Sequence, residues 1–178
     1  MTLGKLGAAA NAKLSIVWYG YGFLAIIPYS ITVAMIVSSS YVPEKLGDRL
    51  RESLLVNFLI ALPMIAITVL FAPWLLSIFG VFYSQASLLL QLLALSILPV
   101  SVNLIYLSVW RVRKQIVRLN IFTITLTCGA MLLSYILIDP LGLNGIGWGW
   151  LIWQTLFALA VTPGVIRECW PVAKKSAA

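Results

Sequence analysis

The stretch Ser53–Trp110 reads SLLVNFLIALPMIAITVLFAPWLLSIFGVFYSQASLLLQLLALSILPVSVNLIYLSVW and contains no charged residue over 58 positions. A membrane-spanning helix needs about 20 apolar residues. The stretch therefore predicts two spanning helices, and the polar and aromatic segment Gly80–Gln85 marks the turn between them. Strands of a membrane barrel are about ten residues long and alternate in polarity. This run is continuously apolar, so it does not predict barrel strands.

The composition of the whole chain agrees with a lipid environment. Of its 178 residues, 62% are hydrophobic and 10% are charged, whereas an ordinary soluble domain has about 25% charged residues. The mean hydropathy is +1.03. These values exclude a water-soluble globular fold, which needs a charged surface, and they exclude disorder, which needs low hydrophobicity.

Three further charge-free runs complete the predicted topology: 14–43, 119–138 and 140–166. The sequence thus predicts an all-α, polytopic transmembrane bundle of about five helices, at residues 14–38, 54–78, 86–110, 119–138 and 146–166. Residues 1–13 are expected to form an N-terminal tail on the outer side, and residues 167–178 a cytoplasmic tail. Between the first two helices, 44–52 is expected to be a loop or a short interfacial helix.

Lysine and arginine residues predict the orientation. With five spans, the side that carries the N-terminus has Lys5 and Lys13 only, and the other side carries ten basic residues: Lys45, Arg49, Arg51, Arg111, Arg113, Lys114, Arg118, Arg167, Lys174 and Lys175. Positive loops stay in the cytoplasm. The pattern therefore predicts an N-terminus outside and a C-terminus inside.

Several classes of chemistry are disfavoured. The chain has no histidine and only five acidic residues, so we expect no metal site, no cofactor and no enzymatic activity. The net charge is +7, and the basic residues lie in short loops between apolar runs. This placement indicates a membrane rather than a nucleic acid as the partner. Cys128 is predicted in mid-membrane and Cys169 in the cytoplasm, so they are not expected to pair.

Polar residues and prolines within the spans are the candidate functional residues. Polar groups at this depth must face protein or a wet cavity, and proline can act as a hinge. Hydrogen bonding between helices is the open alternative. The candidate cavity-lining or hinge residues are Pro28, Tyr29, Ser30, Ser96, Pro99, Asn103, Tyr106, Thr127 and Gln154.

Two other groups have predicted roles at surfaces. The basic residues of the second cytoplasmic loop either contact lipid headgroups or only set the topology: Arg111, Arg113, Lys114 and Arg118. Gly145 and Gly149 form a G-x-x-x-G pair, which is typical of closely packed helices. This glycine-rich segment lacks the lysine of a phosphate-binding loop and follows no predicted strand.

The segments Leu88–Asn120 (LLLQLLALSILPVSVNLIYLSVWRVRKQIVRLN) and Asp139–Trp150 (DPLGLNGIGWGW) resemble the C-terminal part of bacterial polysaccharide (O-antigen) flippases. These belong to the multidrug/oligosaccharidyl-lipid/polysaccharide exporter superfamily. The resemblance implies one lobe of a twelve- or fourteen-helix flippase in the bacterial inner membrane, which moves lipid-linked oligosaccharide for surface polysaccharide synthesis. The chain would supply the last five helices, so the expected partners are membrane lipid, lipid-linked oligosaccharide, and a missing N-terminal lobe or further copies of itself.

Two other functions stay open at this point. A drug or cation antiporter of the same superfamily would need a carboxylate inside the membrane as its ion site, and the predicted helices contain none. A non-transporting membrane subunit would need only helices that pack onto a partner, which five spans can provide.

The predicted orientation can be tested with reporter fusions. A reporter after Lys175 should be active as a cytoplasmic fusion, and one inserted in the Asp139–Asn144 turn should be active as a periplasmic fusion, because ten basic loop residues lie on the first side and two on the second. Reversed activities of the two fusions would overturn the assignment.

Overall fold

A computed structural model describes residues 2–41 and 46–169, with side chains from Gly7 onward. Within these ranges every regular element is a helix: α1 Thr2–Tyr41, α2 Leu46–Ser77, α3 Val81–Ser84, α4 Ser87–Val112, α5 Ile116–Leu141 and α6 Asn144–Cys169. All except the short α3 are long and apolar enough to cross a membrane. The prediction of an all-α bundle is confirmed, and the chain is a multi-pass membrane protein.

The first helix begins well before the predicted boundary at residue 14. Gly7 has non-helical angles (φ 79°, ψ 175°), and the chain is helical beyond it. Residues 8–12 are Ala-Ala-Ala-Asn-Ala, and alanine is the best helix former. Lys13 does not end the helix because its charge has partners: Nζ donates to Gln85 Oε1 at 2.7 Å and stands 4.2 Å from the ring centre of Phe82.

The other long helices are extended at one or both ends. Residues 46–52, predicted as a loop or a separate interfacial helix, form the first two turns of α2. At the C-terminus α6 runs to Cys169 and includes 167–169 of the predicted tail. The remainder of that tail, 170–178, and the loop residues 42–45 lie outside the described residues.

The bundle is arranged around α4. This helix packs along α1, α2 and α6, while α5 packs mainly against α6. In the most apolar 18-residue segment of each helix, 61% of the α4 residues are buried, against 22% of the residues in α2 and in α5. The central helix is therefore α4, and α2 and α5 present most of their surface outward.

Two clusters of buried apolar side chains hold the helices together. The first lies toward the end of the bundle that carries α3, here called the α3 end, and it includes Val17, Tyr21, Leu24, Ala61, Ile65, Leu89, Leu93, Ile97 and Ile146. The second lies toward the opposite end, here called the basic end, and it includes Met35, Leu46, Leu50, Ile105, Val109, Val161 and Val165. Both clusters combine residues of α1, α2, α4 and α6.

The contact between α5 and α6 depends on glycine. A Cβ atom added to Gly145 would lie 2.1 Å from the Leu137 carbonyl oxygen, and one added to Gly149 would lie 2.5 Å from Ser134 Cα. On the same interface, a Cβ on Gly129 would lie 2.0 Å from the Trp153 ring. The two backbones therefore approach to a distance that only glycine permits, as in other small-residue interfaces of membrane helices.

Gly149→Ala should destabilise the bundle by about 1–3 kcal/mol, because the new methyl group must displace backbone atoms of α5. The matched control is Gly22→Ala, since a Cβ at Gly22 has nothing within 4 Å. Thermal unfolding in detergent measures both changes. Equal unfolding temperatures for the two variants would contradict the packing of α5 on Gly149.

Candidate functional site

Buried polar side chains lie between the two apolar clusters in four of the helices. In each helix, the polar position follows a residue of one cluster and precedes a residue of the other; in α1, for example, Thr32 lies between Leu24 and Met35. All are less than a tenth exposed. We call this set the polar layer, and its members are Thr32, Asn57, Ser101, Asn103 and Gln154.

The polar layer links α4 to α6 through a pair of amides. Asn103 Nδ2 donates to Gln154 Oε1 at 2.8 Å and to the Gln154 backbone oxygen at 3.1 Å. Asn103 is 1% exposed and Gln154 is 4% exposed. The pair of predicted site residues therefore meets inside the bundle, where it makes the inter-helix hydrogen bond that was the alternative to a cavity.

The hydroxyl groups of the polar layer bond within their own helices. Thr32 Oγ1 donates to the Pro28 carbonyl at 2.7 Å, and Ser101 Oγ donates to the Ile97 carbonyl at 2.6 Å. Pro28, a candidate cavity-lining or hinge residue, is buried, and α1 continues through it. Bonds of this kind satisfy a serine or threonine hydroxyl without a partner helix.

The remaining candidate residues are dispersed. Tyr29 and Ser30 are exposed and point away from the bundle, although their neighbour Pro28 is buried. Ser96 is buried and donates to the Leu93 carbonyl at 2.6 Å, and Pro99 is half-buried within a continuous α4. Tyr29 and Ser30 therefore lie apart from Asn103, whereas Ser96 and Pro99 share its face of α4.

Tyr106 belongs to an aromatic group that joins α4, α5 and α6. Its ring lies 4.9 Å from that of Trp110 and 6.4 Å from that of Phe122. Gly164 of α6 leaves room for it, because a Cβ there would lie 2.6 Å from the tyrosine oxygen. Tyr106 thus packs between helices.

An ion pair occupies the basic end. Arg113 donates from Nη1 to Glu168 Oε1 at 2.8 Å and from Nη2 to Glu168 Oε2 at 2.6 Å. This two-pronged geometry is the strongest form of an arginine–carboxylate contact. It joins the last turn of α6 to the turn after α4, so Arg113 differs from the predicted headgroup contact. The other three, Arg111, Lys114 and Arg118, are exposed, and Arg118 also donates to Gln115 Oε1 at 3.2 Å.

A cleft of ≈ 530 Å³ opens between α1 and α5 toward the α3 end. Its floor is the start of α6, and its walls are mostly apolar. Thr127, a predicted cavity-lining residue, lies in this cleft and is exposed. The lining residues are Leu14, Ser15, Trp18, Tyr19, Thr127, Met131, Ser134, Ile138, Ile146 and Trp150.

Aromatic side chains form one rim of this cleft. The ring centres of Trp18 and Trp150 are 5.3 Å apart in an edge-to-face arrangement. Trp150 Nε1 donates to the Tyr21 oxygen at 3.2 Å. This hydrogen bond holds the Tyr21 ring of α1 against the Trp150 ring of α6.

Sequence reasoning missed two parts of this arrangement. Asn57 was not among the candidates, although an amide within 58 uncharged residues is itself a signal. The cleft was missed because it depends on the separation of α1 and α5, which no local pattern encodes. Tryptophan near the predicted outer ends of both α1 and α6 was the available clue.

The possible metal ligands among the described residues do not cluster. Residues 2–41 and 46–169 contain no group of three or more His, Cys, Asp or Glu side chains that could hold a metal ion. Both cysteines are free thiols: Cys128 is exposed on α5, and Cys169 is buried at the end of α6.

No family model, no curated protein and no solved structure matches the chain.

The Asn103–Gln154 pair should couple α4 to α6. Asn103→Leu or Gln154→Leu leaves the other amide buried without its partner, and each should cost about 1–3 kcal/mol. The double variant should lose less than the sum, with a coupling of about 0.6–1.7 kcal/mol. Unfolding in detergent measures the cycle, and Asn120→Leu on the exposed face of α5 is the control. Strictly additive losses would show that the pair contributes nothing as a pair.

Proposed function

We propose that the chain is part of a membrane flippase that moves lipid-linked oligosaccharide across the bacterial inner membrane for surface polysaccharide synthesis. The observation that supports this proposal is the cleft between α1 and α5, which is open at the side of the bundle. The resemblance of Leu88–Asn120 and Asp139–Trp150 to polysaccharide flippases provides the substrate class.

The lining of the cleft suits an amphipathic lipid. Its apolar wall, formed by Leu14, Met131, Ile138 and others, offers a path for a hydrocarbon tail. Its rim has Trp18 and Trp150, and aromatic rings of this kind lie at the headgroup level of membranes. A sugar ring can stack its C–H face on such a side chain while its hydroxyls remain in water.

The predicted orientation places the α3 end outside, so the cleft would open in the outer half of the bilayer. A lipid could then leave or enter sideways, without crossing the closed interior of the bundle. In transporters built from two lobes, transport depends on rocking of one lobe against the other. The five described spans would form one such lobe, and a second set of helices would complete the path.

A non-transporting membrane subunit is the second candidate. It is favoured by the Asn103–Gln154 pair, because polar side chains that bond to each other inside the bundle line no path. Under this function the cleft would hold only structural lipid, and a lipid-linked oligosaccharide would bind there no better than a phospholipid.

Substitution in the cleft distinguishes these functions. Met131→Trp fills the cleft, whereas Leu132→Trp adds the same side chain to the neighbouring position of α5, which is 62% exposed and does not line the cleft. In proteoliposomes with a photo-crosslinking lipid-linked oligosaccharide, Met131→Trp should lower labelling of the full chain several-fold, and Leu132→Trp should leave it unchanged. Equal labelling of both variants, or full competition by phospholipid, would contradict substrate binding in the cleft.

Surface polysaccharide in a flippase-deficient cell provides the transport measurement for the same two variants. The full chain co-expressed with a matching N-terminal lobe should restore polysaccharide, Met131→Trp should abolish this, and Leu132→Trp should not. Loss of restoration in both variants, with normal protein levels, would count against the cleft as the transport path.

A further inference from the structure

A second cleft lies between α1 and α2, toward the α3 end of the bundle. Its volume is ≈ 650 Å³, and its lining includes Ile16 and Phe23 of α1, Met64 and Phe79 of α2, and Leu90 of α4. None of the lining residues is charged. The cleft is therefore an apolar opening along two of the membrane-spanning helices.

Hydrocarbon is the filling that suits this cleft. The bilayer core contains no water, so the opening is filled either by a lipid chain or by another protein segment. A helix with its side chains is 10–12 Å across, and it would occupy about 900–1,400 Å³ over the roughly 12 Å between Ile16 and Leu24. The cleft is smaller than this volume. An extended acyl chain has no side groups, so it fits where a helix does not.

A lysine stands at the α3 end of the cleft. Lys13 is three residues before Ile16, so the two side chains lie on one face of α1. Lys13 Nζ lies 4.2 Å from the ring centre of Phe82 and donates to Gln85 Oε1 at 2.7 Å. Phe82 is three residues after Phe79, which lines the cleft. Both partners of Lys13 are uncharged. Because an ammonium group has three N–H donors, it retains capacity for an anion.

We propose that the α1–α2 cleft binds one anionic phospholipid, with an acyl chain between the helices and the headgroup phosphate on Lys13. Trp74 of α2 is 62% exposed near the same end, and tryptophan is enriched at the headgroup level of membranes. One basic residue near a membrane surface strengthens the binding of an anionic lipid about five-fold. The lysine therefore selects an anionic headgroup over a zwitterionic one.

This site is separate from the α1–α5 cleft, where lipid-linked oligosaccharide is proposed to bind. The two clefts lie between different pairs of helices, and among the described residues Tyr19 alone lines both. Met131, the residue substituted in the transport experiment, lines the α1–α5 cleft only. The phospholipid site can thus be tested without any assumption about transport.

Photo-crosslinking of the full chain in nanodiscs tests the site. The probes are phosphatidylglycerol, which is anionic, and phosphatidylcholine, which is zwitterionic, with the same diazirine-bearing acyl chain. Mass spectrometry maps the labelled peptides. Phosphatidylglycerol should label 16–24 and 64–79 about five-fold more than phosphatidylcholine does. Peptides that contain Leu132, on the outward face of α5, should be labelled equally by the two probes.

Two substitutions with matched controls separate the headgroup from the chain. Lys13→Gln should lower phosphatidylglycerol labelling of the cleft to the phosphatidylcholine level, whereas Lys114→Gln makes the same change at the basic end and should have no effect there. Gly20→Leu adds a side chain inside the cleft, because a Cβ at Gly20 meets only Leu90 Cδ1, at 3.5 Å. It should lower labelling by both probes several-fold. Gly22→Leu is its control, since Gly22 does not line the cleft and a Cβ there has nothing within 4 Å.

Four results would overturn the site. Equal labelling of the unsubstituted chain by both probes would mean that the cleft does not select a headgroup. A preference that persists in Lys13→Gln would mean that another group recognises the charge. Unchanged labelling of Gly20→Leu would mean that the acyl chain lies outside the cleft. Loss of labelling in excess glycerol phosphate would indicate a site for a soluble phosphate. The first comparison needs no substitution, so it decides the proposal even where a variant fails to fold.

Discussion

Lipid hydrocarbon offers no hydrogen-bond partner, and this constraint explains how polar side chains are distributed in the molecule. A polar group that cannot bond to lipid must bond inside the bundle. The helix with the most interior polar groups, α4, is therefore the central one, with Ser96, Ser101 and Asn103 all buried. The neighbouring helix α2 also buries three polar residues. On the outward face of α5, the exposed Thr123 and Thr125 donate to carbonyls of their own helix. The constraint is thus met either by burial in the bundle or by a bond to the helix's own backbone.

Because lipid is as apolar as leucine, burial of apolar surface contributes little to the association of membrane helices, and close packing must do more. Gly145 and Gly149 bring α5 onto α6, and Gly164 makes room for Tyr106 of α4. Directional bonds supplement these contacts at separate depths. The Tyr21–Trp150 bond lies toward the α3 end, the Asn103–Gln154 bond lies at the middle, and the Arg113–Glu168 pair lies at the basic end. Together they attach α6 to α1 and α4 along its whole length.

The number of spans could be predicted because uncharged runs of this length have one stable outcome in lipid. The ends of the helices could not be predicted in this way. A charged residue marks the end of an apolar run in the sequence, but the helix can continue past it where the charged side chain finds a partner. Lys13 reaches Gln85 and Phe82 of α3, so α1 continues past it. The meeting of Asn103 and Gln154 depends on the rotation of two helices 51 residues apart, and no local spacing fixes that rotation. The sequence pattern predicts Arg113 as a headgroup contact and not as half of an ion pair, because its partner, Glu168, lies 55 positions away.

The attachment of α5 separates it from the rest of the bundle. It packs mainly against α6 and only slightly against α4, whereas α6 is bonded to α1 by Tyr21–Trp150 and to α4 by Asn103–Gln154. A pivot of α5 on its glycine contacts with α6 would therefore change the width of the mouth between α1 and α5 while both of these bonds stayed intact.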